Sequence, residues 1–453
     1  MGKDYLDFIK AKSQAGRGDG FKPIWLPDCM KDFQASLCEW SILRGRSAIF
    51  ADCGLGKTLM QLVWAENVVR HTNKPVLVLA PLAVSGQTKR EGDKFGIECK
   101  VSRDGKFAGG IVITNYERLH YFNPGDFAGV VCDESSAIKS FDAKRTGAIT
   151  EFMRKQNYRL LCTATAAPND FFELGTSSEA LGYLGFRDMI THFFKQDTAK
   201  DHHGWGRTKY RFRGHAQEPF WQWVCSWARS LRKPSDLGFS DEGFKLPKLR
   251  ETEHVVATAK PRAGMLFTIP ARDMREERAE RQHSVRERCE LAADLVSGVK
   301  GPMICWGELN TECDMMERLL DDCVQVKGSM SDDEKEGALE AFTKGQVKRL
   351  ITKPKIGAWG LNWQHCADMT VFPSHSFEQY YQLVRRCWRY GQKKPVNVSL
   401  ILCEGQQGIM KSLHRKQAQT SAMFDSIVAH MHDSLHLTSR DVFPEQEQIP
   451  SWL

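Results

Sequence analysis

Short apolar runs alternate with helical patterns in two blocks of this chain. In the first block the runs at 47–51, 75–80, 110–114, 130–132 and 158–162 read as strands. In the second, the runs at 302–306, 324–326, 349–352, 369–372 and 396–402 do the same. Each run is continuously apolar instead of alternating with polar residues, as in strands buried on both faces. The segments between them place apolar residues at helical spacing, for example Leu59, Met60, Leu62, Val63 and Val68. This alternation predicts two parallel sheets covered by helices, two copies of one architecture. Between about Leu174 and Leu249 the rhythm breaks. From Arg272 to Glu290 the chain is strongly charged with both signs interspersed, the pattern of a solvated helix face or a helical arm.

The chain has 453 residues, which suggests two or three domains, each able to bury its own core. Hydrophobic residues at 42% and charged residues at 26% are ordinary for a soluble globular protein. No apolar run is long enough to span a bilayer, and Met1-Gly2-Lys3-Asp4 does not read as a signal peptide. The fourteen cysteines form no C-x-x-C pair, which argues for free thiols in a reducing cytosol and against a zinc cluster. The net charge of +7 matters less than its distribution.

The most specific chemistry lies at Ala51-Asp52-Cys53-Gly54-Leu55-Gly56-Lys57-Thr58, between the first predicted strand and a predicted helix. Gly54 and Gly56 lack Cβ atoms, so the loop can curl until successive N–H groups face one anion. The helix N-terminus adds partial positive charge. Lys57 can reach the β- and γ-phosphates, and the Thr58 hydroxyl can bind Mg²⁺. This is a nucleoside triphosphate site, with ATP and Mg²⁺ as its ligands. Val130-Val131-Cys132-Asp133-Glu134 is an apolar run ending in two acids. Asp133 can hold Mg²⁺, and Glu134 can orient and deprotonate the attacking water.

With these motifs in this order, the chain resembles superfamily-2 helicases and translocases, closest to the Swi/Snf-like branch and its compact bacteriophage relatives. The resemblance implies two tandem RecA-like α/β lobes, with an aromatic-basic, mainly helical insertion between them. It implies that Gln34 reads adenine, and that Pro81, Thr114 and Asn115 grip the nucleic-acid backbone through exposed hydroxyls and N–H groups. Asp133-Glu134-Ser135-Ser136 takes the place of the acidic box, with Ser136 departing from the commoner His or Asp. Thr163 and Thr165 flank Ala164 in a segment that links nucleotide state to nucleic-acid grip. Two alanines precede Pro168 where the Swi/Snf-like pattern goes straight to proline.

Gln382-Leu383-Val384-Arg385-Arg386-Cys387-Trp388-Arg389-Tyr390-Gly391-Gln392 resembles the arginine segment of the same family, with Arg385 replacing a glycine. Arg386 and Arg389 stand three apart, so on a helix they share one face and aim at a common target. Each guanidinium can match phosphate oxygens bidentately, as an arginine finger requires. Thr352, Lys353, Gly360 and Asn362 resemble the segment that touches both nucleic acid and nucleotide. Trp359 among them is either core or a base-stacking residue. The arrangement implies that ATP is held by the first block while the second supplies the arginines, and that only the closed form completes the site.

The stretch from Lys200 to Lys233 interleaves eight basic residues (Lys200, Arg207, Lys209, Arg211, Arg213, Arg229, Arg232 and Lys233) with Trp205, Tyr210, Phe212, Phe220, Trp221, Trp223 and Trp227. Two readings fit: a groove that neutralises phosphates and stacks bases, or a helical subdomain with an aromatic core beneath a basic surface. His202, His203 and His215 lack metal-ligand spacing. The proline-marked tail 443–453 either docks on the body or binds a partner.

The expected division is therefore residues 1–173 as lobe 1, 174–258 as the insertion, 259–415 as lobe 2 entered by the charged helix, and 416–453 as a C-terminal helix and tail. The expected activity is that of an ATP-dependent DNA helicase or duplex-DNA translocase in a bacterial or phage-infected cytosol, with DNA as partner and no membrane. The alternatives are an RNA helicase of the same superfamily or a nucleic-acid-binding adaptor without turnover.

Overall fold

Each apolar run read as a strand is one, to within a residue at either end. The computed structural model describes residues 20–197, 209–257, 274–357 and 362–435. Trp205, Gly360, Trp359, His202, His203 and the tail 443–453 lie outside the described residues. The chain divides into two units, Met1–Asp241 with Gln419–Leu453, and Glu242–Ala418.

The first unit is built on a seven-stranded, all-parallel sheet. Its strands are β1 (Arg46–Ala51), β2 (Val76–Ala80), β3 (Cys99–Val101), β4 (Ile111–Asn115), β5 (Gly129–Asp133), β6 (Tyr158–Thr163) and β9 (Ala228–Leu231), in the order β3-β4-β2-β5-β6-β1-β9. β2, β4 and β5 are buried at every position, which is why their sequences are apolar up to their carboxyl ends, where β4 closes with Thr114 and Asn115 and β5 with Asp133. A two-stranded antiparallel ribbon, β7 (Phe194–Asp197) and β8 (Lys209–Phe212), stands apart from this sheet.

The second unit carries a six-stranded, all-parallel sheet in the order β10-β15-β14-β11-β13-β12. Its strands are β10 (Leu249–Val256), β11 (Met303–Trp306), β12 (Cys323–Gln325), β13 (Arg349–Thr352), β14 (Asp368–Val371) and β15 (Val396–Cys403). The fold is therefore α/β with two tandem RecA-like parallel-sheet lobes. β10 has no apolar signature because it is an edge strand, exposed at most of its positions and written Leu-Arg-Glu-Thr-Glu-His-Val-Val. A charged edge discourages pairing with other chains.

The stretch 174–249 is not an independent insertion. Ala228–Leu231 extends the first sheet by pairing with β1, and β10 extends the second by pairing with β15. Phe220, Trp221 and Trp227 are buried in the first unit's core, with Tyr210, Phe212 and Trp223 packed against it. The core reading of these aromatics is the one observed. Met423, Phe424, Ile427 and Met431, from the second half of the helix Gln407–Leu435, complete that core. Its first half places Ile409, Met410 and Leu413 in the core of the second unit. The C-terminal helix is thus divided between the units rather than a separate piece.

The basic residues of the same stretch are spent in several ways. Arg229 is 5% exposed, stacks on Trp40 at 4.5 Å and donates to the carbonyls of Cys225 and Ala228. These carbonyls end the helix Gln217–Trp227, where the dipole favours a cation. Arg232 pairs with Asp425, and Lys233 lies 3.8 Å from Asp241.

The charged run after Arg272 has a solvated face, with Arg278, Arg286 and Glu290 exposed, and a second face that is buried. It forms the helices Met274–His283 and Val285–Ser297, which bury Glu277, Glu280 and Arg288. Arg288 lies 2.6 Å from Glu312, both essentially inaccessible. The Arg288 guanidinium also donates to Ser284 Oγ and the Arg281 carbonyl, while Glu312 Oε2 accepts from the amides of Glu308 and Leu309. The pair can be buried because nearly every polar atom in it has a partner. All cysteines but Cys29 and Cys323 are buried, and burial pushes thiols such as Cys132 up to about 12, as for inert core residues. No described helix is long and apolar enough to cross a membrane.

Because Glu312→Gln leaves Arg288 buried without its counter-charge, it should destabilise the second unit by about 3–5 kcal/mol. Urea unfolding followed by a probe within residues 242–418 measures this. A loss below 1 kcal/mol contradicts the assigned role.

Candidate active site

β1 delivers the chain to the loop at residues 52–56, and the helix Lys57–Thr72 leaves it. Gly54 and Gly56 have φ of +89° and +80°, a region that side chains with a Cβ rarely adopt. Gly56 is needed twice over, because a Cβ there would stand 2.3 Å from Gln34 Nε2. Gln34 is 7% exposed and fully engaged. Its Nε2 donates to the Leu55 carbonyl at 2.9 Å and its Oε1 accepts from Lys31 N at 2.9 Å. In this structure Gln34 braces the phosphate loop. Lys57 Nζ lies over the loop's own carbonyls, 2.7 Å from Ala51 O and 3.3 Å from Asp52 O. Thr58 is half-buried at the mouth of the helix.

The acidic pair sits where β5 ends, on the same sheet as the loop. Asp133 is 5% exposed and accepts from Gln61 Nε2 at 2.7 Å. Burial pushes its carboxyl above the ordinary value, while the Gln61 hydrogen bond and the Lys57 charge oppose that shift. Tyr116 donates its phenol to the Asp133 carbonyl. Glu134 has a left-handed backbone, φ +50° and ψ +56°, which costs a non-glycine residue on the order of 1–3 kcal/mol. That strain turns its carboxylate to accept from Thr163 Oγ1 at 3.2 Å, and the same hydroxyl accepts from Thr165 N at 3.1 Å. Gln61 Oε1, Ser135 Oγ and Ser136 Oγ are buried with no partner among the described residues.

These residues fit Mg²⁺ with a triphosphate. The donor set is hard oxygen, one carboxylate and one hydroxyl, and Mg²⁺ ordinarily completes its shell from water and substrate phosphates. No group of three or more His, Cys, Asp or Glu that could form an all-protein cage occurs among the described residues. The unpartnered oxygens beside Asp133 can accept hydrogen bonds from bound water. Gln61 was not singled out in the sequence. It lies one turn after Lys57 on the same helix, but only the sheet shows that it faces Asp133.

The residues expected to grip nucleic acid are mostly not on the surface. Thr163, Thr165 and Thr352 are 0% exposed, Thr114 is 1% and Asn115 is 6%. Asn115 caps the following turn by accepting from Arg118 N, and Thr352 Oγ1 lies 3.4 Å from Val326 O. Carboxyl ends of central strands are deep positions: the hydroxyls of Thr163 and Thr352 are used internally, whereas Thr114 Oγ1 and Thr165 Oγ1 are buried with no partner among the described residues. Pro81 and Lys353 are half-buried and reach the surface.

In the second unit the arginine segment is not helical. The helix Phe377–Val384 stops before Arg385, because the carbonyl of Arg386 accepts from Trp363 N and that of Cys387 from Gln392 Nε2. Arg386 and Arg389 therefore do not share a helix face. Arg386 is 6% exposed and bonded through Nη2 to Gln382 Oε1 at 2.9 Å. Arg385 stacks on Trp388 at 4.3 Å and on Tyr381 at 5.2 Å. Arg389 is half-buried. Asn362 Oδ1 is buried with no partner among the described residues, which leave out 358–361.

Gly56→Ala should both strain the loop and displace Gln34. The expected result is a loss of about 1–3 kcal/mol in stability and at least tenfold weaker binding of a fluorescent ATP analogue. Unchanged binding in calorimetric titration would show that the loop is not the phosphate cradle.

Residues 289–391, within the second unit, match the helicase conserved C-terminal domain. The chain is similar to the TATA-binding protein-associated factor MOT1 of Saccharomyces cerevisiae, 24% identical over 43% of this chain and 12% of that protein. It is similar to YwqA of Bacillus subtilis, described as an ATP-dependent helicase/translocase, at 23% identity over 88% of this chain and 49% of that one. A protein named p41 from Acyrthosiphon pisum secondary endosymbiont phage 1 is 29% identical over 28% of this chain and 34% of its own length. The chain thus spans half or less of the length of these curated relatives. Among solved structures, a Sulfolobus solfataricus SWI2/SNF2 ATPase core in complex with dsDNA aligns over 94% of this chain and 99% of that one, at 17% identity and a TM-score of 0.43. Residues 289–391 of the second unit thus match the helicase conserved C-terminal domain, and most of the chain is similar to a protein described as a helicase/translocase.

Proposed function

We propose that this protein is an ATP-dependent DNA helicase or duplex-DNA translocase. The observation that carries the reading is the convergence, in the first unit, of a glycine loop, Lys57, Asp133 and a strained Glu134 on one sheet. In this reading Lys57 leaves the loop carbonyls to neutralise the β- and γ-phosphates. Thr58 and Asp133 would hold Mg²⁺, which supplies charge neutralisation of the phosphate oxygens. Glu134, steadied by Thr163, takes the proton of the attacking water. Thr163 in turn is bonded to the Thr165 amide, so movement of that segment would move the base. Arg389 serves as the arginine finger. Arg386, tied to Gln382, holds the shape of the segment unless ATP draws it away.

The deciding experiment is phosphate release with duplex DNA, single-stranded DNA, RNA or no nucleic acid. Stimulation by DNA supports the proposal. Stimulation by RNA alone would make it an RNA helicase, and no release under any condition an adaptor. A forked-duplex displacement assay then separates helicase from translocase. Lys57→Ala should lower release by on the order of 10²-fold or more. Arg389→Ala should lower it by about 10³–10⁵-fold with unchanged stability, whereas Arg386→Ala should also destabilise the second unit. Equal turnover in Arg389→Ala and the parent would remove the finger assignment.

A pH profile tests the acidic site. The Gln61 hydrogen bond favours ionised Asp133, opposing burial. Gln61→Leu removes it, so the carboxyl moves still higher. The acid limb of the pH–rate profile should shift toward higher pH, with the rate on the alkaline plateau nearly retained. A limb that stays in place would mean that Asp133 does not control it.

A further inference from the structure

The peptide that joins Asp133 to Glu134 is held at both of its polar groups. Its carbonyl, that of Asp133, accepts from the Tyr116 phenol at 2.5 Å. Its N–H, that of Glu134, donates to Asp133 Oδ1 at 3.0 Å. A planar peptide between two Cα atoms has one soft motion, rotation about the line that joins them. That rotation changes ψ of Asp133 and φ of Glu134 together. With carbonyl and N–H both anchored it is blocked, and Glu134 stays at its φ of +50°. A strained conformation persists only where its surroundings over-determine it.

Tyr116 is brought to this peptide by the end of a different strand. It follows β4 directly and opens the short turn Tyr116–Tyr121, which the Asn115 side chain caps at Arg118 N. β2 lies between β4 and β5 in the sheet, and its pairing with β5 stops at Cys132. The phenol therefore reaches past the end of β2 to the carbonyl of the next β5 residue. That reach needs a long side chain ending in a donor. The ring is buried in the core of the first unit. Burial, and then the neighbouring Cys132, Asp133 and Glu134, raise the phenol well above its ordinary value, so it keeps its proton and donates.

We infer that Tyr116 is a positioning residue for Glu134: its hydroxyl fixes the Asp133–Glu134 peptide, and with it the direction of the carboxylate that takes the proton of water. The inference rests on the reading of Glu134 as the catalytic base, and adds a residue that acts through the backbone and not on the nucleotide. Without the hydroxyl, the peptide can turn toward the negative φ of an ordinary strand residue, where consecutive side chains go to opposite faces. The Glu134 carboxylate then leaves Thr163 Oγ1, which it holds at 3.2 Å. The phosphate loop is braced by other contacts, Gln34 to the Leu55 carbonyl and Lys57 to that of Ala51, so it stays as it was. The base is misdirected while nucleotide binding is kept.

The test uses the full chain with Tyr116→Phe, which keeps the buried ring and removes one oxygen, beside Glu134→Gln and the double variant. The binding stoichiometry of a fluorescent ATP analogue counts intact sites, so phosphate release is expressed per site. In Tyr116→Phe the analogue affinity and the KM for ATP should stay within about twofold of the parent, while kcat per site falls on the order of 10–10²-fold, as for a reacting group misplaced by about 1 Å. A residue that only supported the fold would lower the number of sites and leave kcat per site alone. Single-turnover release should be equally slow in Glu134→Gln and in the double variant, because Tyr116 acts through Glu134. Parent-like kcat per site in Tyr116→Phe, the same fold loss in the Glu134→Gln background, or a Tyr116→Phe chain with no intact sites would overturn the positioning role and leave the base assignment standing. A Glu134→Gln variant that turns over like the parent, or a parent that releases no phosphate, would overturn both.

Discussion

A carboxylate buried at the end of a parallel strand sets the terms for the rest of the first unit. Asp133 stands where β5 runs out of partners, and burial alone would favour its neutral form. The fold answers with a Gln61 hydrogen bond and the nearby Lys57 charge, both drawn from the helix that follows the glycine loop. Acid and loop are therefore one construction. The strand order β5-β6-β1 places the two strand ends, Ala51 and Asp133, close together although they are 82 residues apart in the chain.

Strain is stored next to that carboxylate. Glu134 holds a left-handed backbone with no glycine to ease it, and the energy is recovered through the surrounding pairing of β5 with β2 and β6. The conformation lets consecutive acids serve different ends. Asp133 points to Gln61, and Glu134 points to Thr163 on β6. A regular strand would have sent them to opposite faces of the sheet. Thr163 thus links Glu134 to the Thr165 amide through its hydroxyl.

The second unit shows the opposite economy, in which charge is buried to hold shape. Arg288 with Glu312, and Arg386 with Gln382, are satisfied groups inside a packed domain. Arg385, which replaces a glycine of the related segment, is accommodated by stacking between Tyr381 and Trp388. That contact explains how a long side chain is tolerated where the related pattern has none. A guanidinium counted as a phosphate ligand from sequence can therefore be part of the scaffold.

Apolar patterning alone determined most strands of both sheets, because a strand buried on two faces leaves little room for polar residues. The glycine loop and its lysine were equally legible, since positive φ and anion binding demand those residue types wherever they occur. Edge strands were not. β9 is buried throughout yet carries an arginine and a serine, and β10 is exposed at most positions and carries Arg250, Glu251 and Glu253, so neither writes an apolar run. Exposure was invisible too: Thr114, Thr163 and Thr352 looked like surface hydroxyls and lie inside, while the aromatics at 220–227 proved to be core. The arginine pair kept its residue identities but lost its helical geometry to hydrogen bonds from Trp363 and Gln392, more than a dozen residues upstream in one case and local in the other. Local chemistry is set by which atoms a residue has. Which of those atoms remain available is set by neighbours brought in from distant parts of the chain, and only the packed fold decides that.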